Sequence, residues 1–125
     1  MKENTVENNF WQVEDCPVRN VLDRFGDKWS ILVIMILGER DKLRFNELNK
    51  LISDVSQKML TVTLRTLEAD GLVKRTVYPE VPPRVEYEIT ELGKSLVPFV
   101  HSLSSWAKQN MPAIRKSRKK YGLVN

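Results

Sequence analysis

Apolar residues recur at helical spacing through the first half of the chain and predict a series of short helices. A first helix is expected over Pro17–Phe25, because proline suits the first helical position and Gly26 can end the helix. A second is expected over residues 28–37, with Asp27 as its N-cap and Gly38 as its stop. Its apolar run, ILVIMIL, predicts that this helix is buried on nearly all sides.

A third helix is predicted after a short extended segment, KLRF, at residues 42–45. It begins near Asn46 and places Leu48, Leu51 and Ile52 on one face, at i, i+3 and i+4 spacing. We expect these three side chains to point into the core.

The fourth helix, within residues 55–72, has strong signals at both ends. Ser56 is the predicted N-cap, and Gly71 is predicted to take the left-handed conformation, with Leu72 contacting Leu67 as in a Schellman motif. At 100° per residue, the leucines at 60, 64 and 67 share one side of the helix. The opposite side and its margins carry Gln57, Lys58, Thr61, Val62, Arg65, Glu68 and Ala69.

Alternation of apolar and polar residues predicts two strands after the fourth helix. The segments LVKRTVYP at residues 72–79 and RVEYEIT at residues 84–90 flank the turn EVPP, so they are expected to form a β-hairpin. The apolar residues of the second segment share one face, and Glu86 and Glu88 share the other.

The last predicted helix begins with Thr90 as its N-cap and carries an apolar stripe. Steps of 4, 3, 4 and 3 residues are typical of a coiled-coil seam, and Pro98 is expected to break or kink the helix. One small domain can hardly cover such a stripe alone, so we expect it to form a homodimer interface. The stripe consists of Leu92, Leu96, Phe99, Leu103 and Trp106.

Charge is unevenly distributed along the chain. The net charge is +4, but five basic residues lie within 115–120, and without them the rest of the chain has one more acidic than basic residue. The stretch 42–84 has eight basic and five acidic residues, which suggests a polyanionic partner for the middle of the chain. The basic end, RKSRKKYG, is expected to be an unstructured tail that adds nonspecific DNA affinity.

The order of helices, tight turn, helix and hairpin is that of a winged helix-turn-helix. The predicted fold is mainly α with a small β-hairpin (α+β), with extra N- and C-terminal helices that form the dimer interface. In this fold the second helix of the helix-turn-helix enters the major groove of DNA, and the hairpin reaches the backbone or minor groove. An outward polar face is often only solvated, but the capped helix and the basic hairpin together favour double-stranded DNA as the partner.

The predicted DNA contacts come from the fourth helix and the hairpin. Lys58 and Arg65 can reach phosphates or guanine edges, and Gln57 can pair with adenine. The hairpin residues are expected to frame a groove or the backbone. The full set is Gln57, Lys58, Thr61, Val62, Arg65, Lys74, Arg75 and Arg84.

Composition bounds the remaining possibilities. We expect an N-terminal arm at residues 1–15, one domain at 16–110 and the basic tail at 111–125. No apolar run is long enough for a membrane span, no signal peptide is evident, and one cysteine fits a reducing cytoplasm. With one histidine and one cysteine, no zinc pattern and no nucleophile–base pair can be built. The sequence therefore predicts no catalytic residues, no metal and no cofactor, and favours a protein that is not an enzyme.

Cys16 is the candidate reactive group. If Pro17 is the first helical residue, Cys16 is the N-cap, where the helix dipole and Arg19 favour a thiolate, while Glu14 and Asp15 oppose it. A reactive thiol would have to be at least partly exposed. The alternative is a small buried interface residue without reactivity.

Three blocks of sequence resemble the HxlR family of bacterial transcription regulators. They are CPVRNVLDRFGDKWSILVIMIL, RFNEL and SQKMLTVTLRTLEADGLVKRTVYPEVPPRVEYEITELGKSL, and the match covers about residues 16–108. The resemblance implies a dimeric winged-helix DNA-binding protein with the fourth helix in the groove, residues 77–87 as the wing and the terminal helices at the dimer interface. Several similar regulators sense oxidants or electrophiles through a cysteine just before the first helix, which implies a sensing role for Cys16. At Val62 the family more often has a polar residue, so no base preference is carried over there.

Three hypotheses remain from the sequence. The leading one is a homodimeric transcription regulator that binds a pseudo-palindromic operator, switched by oxidation or alkylation of Cys16 through an oxidant or electrophile. The second is a winged-helix protein-interaction module without specific DNA binding. The third is a small thiol enzyme.

Overall fold

The computed structural model describes residues 16–122, so the arm predicted for residues 1–15 lies outside the described residues. The described part is mainly helical with one small sheet, which confirms the predicted fold class. In chain order the elements are α1 (Pro17–Phe25), α2 (Lys28–Glu39), β1 (Leu43–Arg44), α3 (Phe45–Leu51), α4 (Gln57–Ala69), β2 (Val73–Tyr78), β3 (Arg84–Ile89) and α5 (Glu91–Tyr121).

The sheet is antiparallel, with strand order β1–β3–β2. Val73 pairs with Ile89 and Tyr78 with Arg84, which confirms the predicted hairpin. Side chains alternate between the two faces, so the face that carries Val73 and Ile89 packs on the core and the other face points away from it. The extended KLRF segment supplies β1, whose Leu43 pairs with Tyr87.

The core lies where α2, α3 and α4 meet the sheet. The inward leucines of α4 are almost completely buried, as their spacing predicted, and Thr63 is buried beside them. Only Val100 and Gly93 are buried in α5. The most buried side chains are Val33, Ile34, Leu37, Leu48, Leu60, Leu64 and Leu67.

Local sequence signals fix both ends of α4. The Ser56 hydroxyl accepts a hydrogen bond from the Met59 amide at 3.0 Å, which confirms Ser56 as the N-cap. At the other end Gly71 has a φ of 79°, and the Leu72 amide donates to the Leu67 carbonyl at 2.9 Å. The Gly71 amide donates to Glu68 at 3.0 Å, which completes the predicted Schellman motif.

The start of α5 is joined to the end of α4. The Thr90 hydroxyl accepts from the Gly93 amide at 3.0 Å, as expected for an N-cap, and donates to the Gly71 carbonyl at 2.6 Å. Gly93 has no room for a side chain, because a Cβ there would lie 2.6 Å from Ile89 Cγ1 and would also collide with the Leu72 carbonyl oxygen. The two helices are therefore held in a fixed relation around the hairpin.

Three predictions about helix ends and faces were wrong. Helix α2 is capped by Asp27 as predicted but ends at Glu39, so Gly38 lies inside it and gives Val97 of α5 room to approach. Its burial is less complete than predicted, because Leu32 is exposed and Ile31, Met35 and Ile36 are only partly buried. Leu51 is 45% exposed, because α3 ends there and only Leu48 and Ile52 turn inward.

The C-terminal helix is longer than the sequence analysis expected. It runs without interruption from Glu91 to Tyr121, through Pro98 and Pro112, so it is not broken at Pro98. The basic residues predicted to form an unstructured tail lie in its last turns, and no change of structure marks residue 110. At about 1.5 Å per residue the helix is roughly 46 Å long, and none of its residues after Val100 is buried.

Candidate nucleic-acid interface

Helix α4 presents a polar face on a rigid support. Its buried side consists of Leu60, Thr63, Leu64 and Leu67, so the opposite side must face solvent. Gln57, Lys58 and Arg65 are exposed, and Val62 is 48% exposed. The structure therefore brings four of the five residues predicted on this helix to one open surface.

Thr61 is the fifth residue predicted on this face, and it is only half-buried. Its hydroxyl donates a hydrogen bond to the Gln57 carbonyl at 2.8 Å, within the helix. The hydroxyl proton is thus already used, so Thr61 offers a ligand an acceptor rather than a donor.

The predicted hairpin contacts lie on opposite faces of the sheet. Arg75 pairs with Tyr87 and shares its face, whereas Lys74 pairs with Glu88 and points to the other side. Only Arg75 is brought next to α4, where it lines a cleft of about 440 Å³ between the helix and the sheet. We call this the helix–sheet cleft; its lining residues are Thr61, Leu64, Arg65, Glu68, Arg75 and Tyr87.

Arg84 is surrounded by groups that offset its charge. Its Nη1 lies 2.6 Å from Glu80 Oε2, and its Nε lies 3.1 Å from Glu86 Oε2 without the alignment of a hydrogen bond. The guanidinium also lies 4.1 Å from the centre of the Tyr78 ring. Arg84 is therefore held against the wing rather than extended from it, on the face away from α4.

Helix α1 is attached to the end of α4 by an ion pair. Arg24 Nε and Nη2 donate to the two carboxylate oxygens of Asp70 at 3.0 and 2.9 Å. The hydrogen bonding and the negative charge of Asp70 raise the pKa of Arg24 above its ordinary value. Because α1 has no buried residue of its own, this pair and the half-buried Phe25 are notable attachments.

Cys16 is the N-cap residue of α1, as predicted, but its thiol is not exposed. The residue is 3% exposed, which contradicts the expectation of a partly accessible sensor thiol. Its side chain makes no capping hydrogen bond, and its carbonyl accepts from the Asn20 amide and side chain. Free cysteine behaves as a small apolar residue and is often buried, which accounts for this position.

The apolar stripe of α5 is largely uncovered in the single chain. Leu92 and Leu103 are each 59% exposed, Phe99 is 72% exposed and Trp106 is 56% exposed, while Leu96 is half-buried. A groove of about 270 Å³ runs between this stripe and α1, and Val21 and Phe25 contribute to it. Such a long apolar surface is typical of an interface.

Three residues that the sequence analysis did not single out belong to this region. Arg24 and Asp70 are 46 positions apart, and no local pattern could have paired them. Tyr87 was assigned only to the apolar face of its strand, but its register opposite Arg75 places it in the helix–sheet cleft. The alternation of side chains along the two paired strands was the signal that could have placed Tyr87 on the same face as Arg75.

Other kinds of site are not evident between residues 16 and 122. No group of three or more His, Cys, Asp or Glu side chains in this range could hold a metal ion. No helix in the described part of the chain is long and apolar enough to cross a membrane.

Comparison with known proteins identifies the family. The model of the HxlR-like helix-turn-helix family matches residues 24–115. An HTH-type transcriptional regulator of Methanothermobacter thermautotrophicus is 50% identical over 93 residues, which cover 74% of this chain and 70% of that protein.

Solved structures of regulators share the fold. The redox regulator HypR in its reduced form is similar with a TM-score of 0.74 and 41% identity, covering 80% of this chain and 98% of that one. Diamide-treated YodB from B. subtilis is similar with a TM-score of 0.64 and 34% identity, covering 78% of this chain and 96% of that one. The fold, the exposed face of α4 and these matches show that the chain belongs to the HxlR-like helix-turn-helix family of transcription regulators.

Proposed function

We propose that this protein is a homodimeric regulator that binds a pseudo-palindromic DNA operator in the cytoplasm, with α4 of each subunit in a major groove. The observation that carries the proposal is the exposed polar face of α4, which is held by buried leucines and a complete cap at each end. A rigid helix with exposed Gln, Lys and Arg side chains matches the donors that read base edges and phosphates.

The proposed contacts differ in what they can contribute. Arg65 and Lys58 are exposed and can reach guanine edges or phosphates, and Val62 can contact a thymine methyl group. Arg84 should contribute least, since Glu80 and Glu86 already offset its charge. The full proposed set is Gln57, Lys58, Thr61, Val62, Arg65, Lys74, Arg75 and Arg84.

Substitution of Arg65 tests this function. If Arg65 meets a guanine, Arg65→Ala should weaken operator binding by about 1–3 kcal/mol and relax the preference at that base pair. The measurement is a titration of the DNA that flanks the protein's own gene, beside a scrambled duplex of equal length. Lys108→Ala, which removes the same charge from an exposed site on α5, is the matched control.

The same measurement also distinguishes a specific DNA-binding regulator from a protein-interaction module. A wild-type protein that binds both duplexes equally, with no loss in Arg65→Ala, would favour a protein-interaction module without specific DNA binding. Catalysis forms no part of the proposal, because the family match and the named relative are transcription regulators.

The homodimer is proposed from the uncovered apolar stripe of α5. A surface that exposes Phe99 and Trp106 by more than half is costly to leave in water, and a second copy can cover it by two-fold symmetry. Two α4 helices related by such an axis would reach half-sites about 34–36 Å apart.

We propose that a thiol switch at Cys16 regulates DNA binding. Similarity to a redox regulator and to a regulator solved after diamide treatment supports it. The chain has one cysteine, so oxidation can join two subunits or form an adduct with a small thiol or electrophile, but cannot close a disulfide within one subunit. Because the thiol is buried, the groups that cover it must move before it reacts.

A further inference from the structure

The helix–sheet cleft has two walls of different origin. Thr61, Arg65 and Glu68 come from α4, and Arg75 and Tyr87 come from β2 and β3. Leu64 is buried between the walls, so the base of the cleft is apolar and fixed. With a volume of about 440 Å³, the cleft falls in the size range of small-ligand sites.

The two arginines of the cleft differ from the paired arginines elsewhere. Arg24 and Arg84 each contact a carboxylate at 3.1 Å or less. Arg65 and Arg75 form no ion pair with any carboxylate of residues 16–122. Two guanidinium groups and a single carboxylate, that of Glu68, border the cleft, so its local potential is net positive and favours an anion.

Tyr87 adds a polar group to this positive cleft. The residue is 9% exposed and lies directly opposite Arg75 in the antiparallel ladder, so the two side chains are neighbours on the same face. Its hydroxyl makes no hydrogen bond to any residue in the described part of the chain. Although the residue as a whole is buried, its hydroxyl is not a buried atom, so it is open to solvent and free to donate to a ligand in the cleft that Tyr87 lines.

We infer that the helix–sheet cleft is a phosphate site, in which Arg75 and the Tyr87 hydroxyl bind the oxygens of one phosphodiester while Arg65 approaches from the helix wall. Guanidinium and phenol donors match phosphate oxygens, which are strong acceptors. This inference rests on the proposed DNA-binding function, because a DNA backbone beside α4 is the expected source of the phosphate. It adds Tyr87 to the contact set and gives Arg75 a positioning role rather than one in base reading.

Glu68 offers a substitution that should strengthen anion binding rather than weaken it. It is the only carboxylate among the six residues that line the cleft, and it is exposed, so its side chain can turn to solvent when an anion enters. Its charge still opposes the anion. Glu68→Gln should therefore strengthen binding, whereas loss of the donors should weaken it.

The first experiment measures affinity for the operator fragment as a function of salt. Tyr87→Phe should bind about three- to tenfold more weakly with an unchanged salt slope, because it loses one neutral donor. Arg75→Ala should bind about ten- to hundredfold more weakly, with a slope shallower by about 0.9 for each half-site bound. Tyr121→Phe and Lys108→Ala, both at exposed sites on α5, are the matched controls for hydroxyl and charge, and both should bind like wild type.

A second experiment locates the phosphate on the DNA. Single phosphates of the operator are replaced in turn by neutral methylphosphonates. One position in each half-site should weaken the wild-type protein but have no further effect on Arg75→Ala. If every position weakens Arg75→Ala as much as wild type, and Tyr87→Phe binds normally, the cleft does not hold the backbone.

Inorganic phosphate tests the same chemistry without DNA. Titration into the free protein, followed by NMR, should shift the signals of Tyr87 and Arg75 in wild type. In Arg75→Ala the Tyr87 signals should stay unchanged. Phosphate binding with unaltered DNA affinity in the variants would assign the cleft to a small phosphorylated ligand. If inorganic phosphate shifts no signal of the cleft and no backbone position depends on Arg75, the inference is wrong. The proposed DNA-binding function would still stand as long as wild type binds its operator more tightly than scrambled DNA.

Discussion

At the scale of single residues, Arg75 and Arg84 share a hairpin but not an electrostatic setting. Arg75 lies on the face that meets α4, without a carboxylate partner among residues 16–122. Arg84 lies on the opposite face between Glu80 and Glu86. A positive charge attracts DNA only if it is not already offset nearby, so the count of basic residues overstates what the wing can do.

Cys16 should react slowly while the protein is folded. The thiol is 3% exposed, and a thiol-specific reagent needs an open path to the sulfur. Because Cys16 is the only cysteine in the chain, reaction with DTNB reports this residue alone. We expect slow release of the coloured thiolate in native buffer and fast release in urea. Equally fast release in both would show that the thiol becomes accessible in the folded protein.

If Cys16 is the sensor, diamide should change operator affinity by about 5- to 150-fold, the usual range for coupling between two sites. Joining two Cys16 side chains removes one proton and one electron from each thiol and reduces one diamide. Cys16→Ser keeps the N-cap position without this chemistry and should not respond. Non-reducing gels should show a cross-linked dimer or a mixed adduct in wild type. An equal response in Cys16→Ser would place the signal elsewhere.

At the scale of elements, the end of α4, the hairpin and the start of α5 form one unit. Gly71 provides the left-handed turn, Thr90 donates to its carbonyl, and Gly93 lets α5 approach Leu72 and Ile89. The orientation of α4, the proposed recognition helix, is therefore fixed by α5 at the C-terminal end of α4. A displacement of α5 would therefore also displace the end of α4 through these contacts.

Gly93→Ala should destabilise the fold by about 1–3 kcal/mol, although alanine is the better helix former. The added Cβ would meet the Leu72 carbonyl, which is backbone and cannot move aside like a flexible side chain. Gly71→Ala is the informative comparison, because its Cβ meets only Leu92 Cδ2 at 3.9 Å. Its cost should come from the left-handed φ, and Gly71→Asn should recover part of it.

Urea unfolding at one protein concentration measures these costs. Unequal concentrations would mix subunit association with folding if the protein is a dimer. A Gly93→Ala variant as stable as wild type would mean that α5 can shift away from the hairpin without cost.

Sequence reasoning succeeded where the determining interactions are local. Ser56, Asp27 and Gly71 act within a few residues of their own helix ends, so their roles could be predicted. It failed for Gly38, which lies inside α2 at the point where Val97 of a distant helix approaches it. It also failed for the basic C-terminal segment, where composition suggested a tail but the chain continues as helix.

The proposed site shows the same division between local and distant information. The outward face of α4 follows from its own periodicity, and the exposed stripe of α5 follows from the steps between its apolar residues. The helix–sheet cleft could not be predicted in the same way, because it needs the register of Arg75 against Tyr87 and the position of α4 beside them.

At the scale of the whole molecule, α1 connects the two parts of the proposed switch. Cys16 stands at its N-cap position, and Arg24 in its last turn contacts Asp70 at the end of α4. Val18, Val21 and the neighbouring Leu22 are exposed along the same helix. A movement of α1 would therefore act on both the apolar surface and α4, the proposed recognition helix.

Phe99→Glu should separate the proposed dimer into monomers. Phe99 is 72% exposed near the middle of the apolar stripe, and a carboxylate buried there in two copies would lose its hydration beside a like charge. Sedimentation at micromolar concentration should show a dimer for wild type and a monomer for the variant. The variant should bind a single half-site as wild type does but lose the advantage of the full palindrome, since the second half-site no longer binds as part of one complex. Ser105→Glu places the same charge on an exposed part of α5, about 140° from the centre of the stripe, and should remain dimeric. A wild-type protein that sediments as a monomer and binds one half-site as tightly as two would exclude the homodimer, and the stripe would then need a different partner.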